Sequence, residues 1–164
     1  MSILTPEQVL ALVPQQQPFR FVDRILELDS EHILGEYTWK DEDCRNYIPG
    51  KLLAPQFKML EMAAQIGNVA WCIYHMSLTV TPEEMRQLVG VFTQVDHGEF
   101  LAPVRAGEKV ACLAEFGEAG YFRGNKLLSE VRMQISGGPE DGRDVFSGTI
   151  SGMWVPKSSE RATA

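Results

Sequence analysis

The sequence is poor in cysteine, in basic charge and in uninterrupted apolar runs. Its three cysteines, Cys44, Cys72 and Cys112, are odd in number and stand 28 and 40 positions apart, which fits neither a disulfide framework nor a close pair of zinc ligands. Reduced thiols and a cytoplasmic setting are expected, with no metal and no cofactor. The 15 basic residues face 22 acidic ones, for a formal charge of −7. That leaves no positive field for a phosphate backbone, so nucleic acid is excluded as a partner. The longest apolar stretch, 57–76, is broken by Lys58, Glu61, Gln65, Asn68 and His75. It is too polar for a lipid-facing span and reads as a buried helix, so no membrane partner is expected. Residues 1–13 lack a basic leader and carry Pro6 and Glu7, so no secretory signal is expected.

What is present describes an ordinary domain. Of 164 residues 45% are apolar and 23% charged, with 14 glycines and 9 prolines. A single domain over 1–156 with a flexible polar tail over 157–164 is the expectation. Thr5-Pro6-Glu7-Gln8 has the form of a capping box with proline at the first helical position, predicting a short helix over 6–12 that Pro14 stops. Thr81-Pro82-Glu83-Glu84 repeats the pattern. One long helix should begin at Pro55. β-branched and aromatic runs predict strands over 21–28, 33–39, 88–95, 109–116, 121–136 and 145–155, with the acidic 41–43 segment in a loop. In the last strand Phe146, Ile150 and Trp154 alternate with Ser147, Thr149 and Ser151, the pattern of a sheet with one face buried. The sum is an α+β fold, an antiparallel sheet wrapped around one central helix.

Several motifs then occur in one order. Val13-Pro14-Gln15-Gln16-Gln17-Pro18-Phe19-Arg20-Phe21-Val22-Asp23-Arg24 is followed by Tyr47-Ile48-Pro49-Gly50, Ala54-Pro55 and Glu61-Met62-Ala63-Ala64-Gln65, then by Asp96, Phe100, Pro103-Val104 and Gly107-Glu108. Together they resemble the hot-dog-fold 3-hydroxyacyl-acyl-carrier-protein dehydratases of fatty-acid synthesis across nearly the whole chain. The resemblance implies a hot-dog fold, Glu61 as the helix carboxylate of the site, and Gln65 in register behind it. Two positions depart from the family's pattern. Tyr47 stands where members usually carry histidine two residues before the Pro-Gly, and Gln15 where they usually carry histidine after proline.

The departure matters because eliminating water from a 3-hydroxyacyl thioester needs a base for the proton α to the carbonyl and an acid for the leaving hydroxyl. A phenol, ordinarily ionising near pH 10, is a poor base at neutrality. Tyr47 is therefore expected to orient the substrate hydroxyl, with Glu61 serving as acid, or as acid and base in turn. His97, beside Asp96, is a further catalytic candidate. His75 shares a helical face with Glu61, but fourteen residues further on it lies about 21 Å away; His32 reads as a solvated turn residue. The resemblance makes the Gly50 amide a contact for the thioester carbonyl and places Pro49, Pro55 and Gln65 around the substrate. Glu61, Gln65, Asn68 and Lys58 also fit the wet face of a surface helix, and Pro49-Gly50 a purely structural turn.

The expected partner is an acyl thioester on acyl carrier protein or coenzyme A. Arg45, Lys51 and Lys58, in a stretch without acidic residues, form the candidate surface for an acidic carrier. The resemblance implies a homodimer in which one chain's Tyr47 loop faces the other's Glu61, with a higher oligomer or a heterodimer with an active paralogue as alternatives. Dimerisation would also cover long edge strands such as 121–136. Three functions remain open from sequence: a 3-hydroxyacyl-thioester dehydratase, a non-catalytic carrier-binding or partner subunit, and an acyl-thioester hydrolase.

Overall fold

Thr5 caps the first helix as its sequence requires. Its hydroxyl accepts from the Gln8 N–H (3.3 Å), the Gln8 side chain accepts from the Thr5 N–H (2.9 Å), and α1 runs over Pro6–Leu12. The computed structural model describes residues 3–157. Strands β1 (Arg24–Leu28) and β2 (His32–Thr38) form a hairpin whose turn is held by Asp29, its carboxylate accepting from the backbone of Glu31 and His32. The first strand starts at Arg24 rather than at 21 because Phe21 turns inward. It stacks on Trp39 (5.5 Å between centroids) and meets Tyr37 edge-on (5.6 Å), and its N–H goes to a helix side chain instead of a strand. The acidic segment expected as loop forms one helical turn, α2 (Asp41–Cys44), because buried Asp43 accepts from Tyr37 Oη (2.7 Å) and from the Lys40 N–H (3.0 Å).

The central helix, α3, starts after Pro55 and runs through Gln56–Ala64, a π-helical turn at Gln65–Ala70, and Trp71–Met76. A second capped helix, α4 (Pro82–Met85), leads to β3 (Leu88–Phe100), β4 (Lys109–Glu115), β5 (Tyr121–Arg123), β6 (Lys126–Ile135) and β7 (Asp144–Pro156). The single strand expected over 121–136 is two, separated by Gly124-Asn125. All seven form one antiparallel sheet in the order β1-β2-β4-β6-β7-β3, with β5 added to β6. The edge expected at 121–136 is corrected for β6, which is paired on both sides, whereas the short β5 pairs with β6 alone; the main path of the sheet ends at β1 and β3.

The helix lies close on the sheet. A Cβ at Gly67 would meet Val131 Cγ2 at 3.0 Å and Ala114 Cβ at 3.1 Å, so only glycine permits this approach. The π turn alters the helical hydrogen bonding here, and Ser129 Oγ of β6 donates to the Gly67 carbonyl (3.0 Å). Met62, Ile66, Trp71 and Ile73 of the helix are buried with Met133, Phe146 and Ile150 of the sheet. Phe146, Ile150 and Trp154 are buried as the alternation of β7 requires, but Ser151 is buried as well, its hydroxyl 2.8 Å from Thr93 Oγ1. At the start of the expected tail the Lys157 N–H donates to the Gln87 carbonyl (2.9 Å); the remainder, 158–164, lies outside the described residues. Among the described residues no helix is long and apolar enough to cross a membrane.

Candidate functional site

Glu61 is half-buried one turn before Gln65 on α3, and the two side chains act together. Gln65, fully buried, uses its whole carboxamide: Oε1 accepts from the Phe21 N–H (2.7 Å), while Nε2 donates to the Phe19 carbonyl (2.6 Å) and to Glu61 Oε1 (2.9 Å). The glutamine thereby fastens the N-terminal segment to the helix and fixes one carboxylate oxygen. Gln65 and Asn68 are interior, so Lys58, Glu61, Gln65 and Asn68 do not form a wet face.

Glu61 lines a narrow, half-open cavity of about 80 Å³ together with Gln15, Asn68, Val91, Gly152 and Trp154. Gln15 Oε1 and both amide atoms of Asn68 are buried there without a hydrogen-bond partner among the described residues. Neither residue was among those expected in the site. Gln15 was visible only as a substitution in the Pro14 turn, and Asn68 only as a polar residue in register with Gln65.

The Tyr47 loop lies elsewhere in the chain. Asn46 (φ 62°) and Gly50 (φ 72°) both take the left-handed conformation, and the Lys51 N–H closes the Pro49-Gly50 turn on the Ile48 carbonyl (3.1 Å). Tyr47 packs edge-on against Phe57 (5.9 Å) and lines a second cavity of about 320 Å³ with Ile48, Met59, Phe100 and Leu101. Pro55 is buried at the start of α3, and Pro49 and Gly50 are exposed on the loop. Within one chain Tyr47 and Glu61 therefore face different cavities.

His97 is not brought to Glu61 either. It occupies a bulge in β3 with φ 51° and lines a surface depression with Glu115, Glu130 and Arg132. The bulge displaces its side chain from the register that the alternation of β3 supplies. His75 is boxed by Trp71, Tyr74, Phe116 and Phe122, and burial pushes its pKa down to about 4. His32, expected to be solvated, is held 2.8 Å from Glu27 and 3.1 Å from Asp29, and the Glu27 contact raises its pKa. Of the basic trio, Arg45 and Lys51 are exposed. Lys58 is not free: its ammonium donates to the Asp43 carbonyl (2.8 Å) and sits 5.8 Å over the Phe21 ring. All three cysteines are free and buried. Burial raises the pKa of Cys44 to about 11 and that of Cys72 to about 12, so neither offers a thiolate nucleophile. Among the described residues no cluster of histidine, cysteine and carboxylate side chains is arranged to hold a metal ion.

No family model matches the chain. It is, however, 30% identical over 117 residues to the 3-hydroxyacyl-acyl-carrier-protein dehydratase FabZ of Desulfotalea psychrophila, an alignment covering 66% of this chain and 74% of that protein. The chain belongs to the FabZ dehydratase family. The FabZ of Sulfurimonas denitrificans is 26% identical over 131 residues, covering 76% of this chain and 87% of that one. Among solved structures, the dehydratase heterocomplex ApeI:P of Xenorhabdus doucetiae superimposes with a TM-score of 0.73 over 94% of this chain and 93% of its own, at 13% identity. That likeness establishes the hot-dog fold.

Proposed function

We propose that the protein is a 3-hydroxyacyl-thioester dehydratase, releasing water to give a trans-2-enoyl thioester on acyl carrier protein or coenzyme A. The observation that carries this reading is Glu61, oriented by Gln65 at the wall of a cavity in a FabZ-family chain. In a one-carboxylate elimination Glu61 takes the C2 proton, the C2–C3 double bond forms, and the same carboxyl returns that proton to the departing C3 hydroxyl as water. Tyr47 orients the hydroxyl as a hydrogen-bond donor, and the Gly50 amide meets the thioester carbonyl.

This reading requires two chains, since Tyr47 and Glu61 line separate cavities within one. Edge strand β3 supports that assembly: Val91 and Phe92 are exposed on it and also line the Glu61 cavity, so a chain paired along β3 closes the site. Arg45 and Lys51 are the proposed contacts for an acidic carrier, with Lys58 contributing less because it is engaged within the chain.

The test is turnover of 3-hydroxyacyl carrier substrates of several chain lengths, followed by enoyl absorbance. Glu61→Gln is expected to abolish it. No turnover by folded protein at any length refutes the enzyme reading and favours a second one, a non-catalytic partner subunit, for which Tyr47 in place of the family's histidine is the specific ground. Such a subunit binds carrier without chemistry, and Tyr47→His restores partial activity. Release of free acid instead of enoyl product identifies a hydrolase.

A further inference from the structure

The Glu61 cavity contains more unfilled polar capacity than the elimination uses. Asn68 is 4% exposed, lines the cavity, and leaves both its donor and its acceptor without a partner among the described residues. Leaving a buried carboxamide unpaired costs on the order of 1–3 kcal/mol per group, so an apolar chain passing Asn68 leaves that cost in place. The sheet is shaped to accommodate it. A Cβ at Gly152 would stand 2.7 Å from Asn68 Oδ1, and glycine there gives the carboxamide its space against β7. Gln15 Oε1 adds a second unfilled acceptor in the same cavity.

We propose that Asn68 is a specificity-determining residue that hydrogen-bonds a hydroxyl or carbonyl carried on the acyl chain itself, distal to the reacting carbons. This inference rests on the dehydratase reading for where the thioester sits. Seven residues separate Glu61 from Asn68, at most about 10 Å along the helix axis at the α-helical rise of 1.5 Å, since the π-helical turn from Gln65 onward advances less per residue. Hydrogen-bond reach of about 2.9 Å at each end leaves no more than roughly 5 Å, at most three or four extended carbons, between the reaction centre and the distal polar group. A cavity of about 80 Å³ suits a segment of that size. The substrate class is therefore a short 3-hydroxyacyl thioester with a second oxygen function near C6 or C7, rather than a plain alkyl chain.

The test measures binding without turnover, using saturated acyl pantetheines that lack the 3-hydroxyl. S-octanoyl pantetheine is titrated calorimetrically against its 6-hydroxy and 7-hydroxy counterparts. The wild type is expected to bind one of the hydroxylated ligands at least about tenfold more tightly, the equivalent of one satisfied buried group. Asn68→Leu, which removes donor and acceptor at similar volume, is expected to erase or reverse that preference, and Asn68→Ala to erase it should the leucine variant not fold. Equal or tighter binding of the plain chain by the wild type overturns the proposal, as does a preference that survives either variant. If discrimination holds while dehydration is absent, only the activity reading falls. If dehydration proceeds without discrimination, only the role of Asn68 falls.

Discussion

Replacing Gln65 with leucine tests how Glu61 is held. The substitution keeps the volume and removes three hydrogen bonds. The Phe21 N–H loses its acceptor at a fully buried position, a cost of about 1–3 kcal/mol. The Phe19 carbonyl belongs to an exposed residue and rehydrates, so its loss adds only about 0.5–1.5 kcal/mol. The expected destabilisation is ~2–4 kcal/mol, a fall in Tm of roughly 4–15 °C for a domain of this size. It is measured by urea unfolding, with an unchanged m-value confirming that the loss is in stability. Gln65→Glu is the companion variant. It retains the acceptor for Phe21 but sets a second carboxyl against Glu61 Oε1, raising the folded pKa of the introduced group above its unfolded value. Its stability deficit relative to wild type then grows as pH rises through that raised pKa and narrows as pH falls towards about 5. A leucine variant within about 0.5 kcal/mol of wild type, or a Gln65→Glu deficit independent of pH, refutes the account of Gln65 as the clamp between the N-terminal segment and the central helix.

The buried imidazole of His75 makes stability depend on pH in the other direction. With its folded pKa near 4 against about 6.5 unfolded, only the unfolded chain binds this proton between those values, so stability is lost as pH falls through that window, by up to about 3 kcal/mol. Its ring is surrounded by aromatic residues, and His75→Phe is expected to flatten the pH dependence of urea unfolding over that window; an unchanged slope contradicts the assignment. Gly152→Ala is expected to cost about 1–3 kcal/mol, because the added methyl meets Asn68 Oδ1 at 2.7 Å and the Val91 carbonyl at 3.0 Å. Asn68→Ala removes the first contact, so a double-mutant cycle should show coupling, and strict additivity rules out the packing described.

Local chemistry explains what could be read in advance. Thr5, Pro6 and Gln8, and Thr81, Pro82 and Glu84, form their caps from residues within one turn of each other, and both helices occur where the sequence places them. The start of the central helix after Pro55 and the buried alternation of Phe146, Ile150 and Trp154 are equally local. Misreadings arose where a distant partner intervenes. Phe21 leaves the strand pattern because Gln65, 44 positions away, takes its N–H. Nothing local to the 121–136 segment reveals that β4 and β7 pair on either side of its β6 portion.

The sequence by itself determined the two capped helices, the start of the central helix, most of the strands and a resemblance strong enough to name the fold, because each depends on neighbours in the chain or on motifs in order. Tertiary structure alone decided which side chains share a cavity. It separated Tyr47 and His97 from Glu61 and brought Gln15 and Asn68 to it. It also engaged Lys58 with the backbone carbonyl of Asp43, fifteen positions earlier in the chain. Burial and the pairing of polar groups are set by contacts between segments far apart in sequence, and those contacts exist only once the helix lies on the sheet.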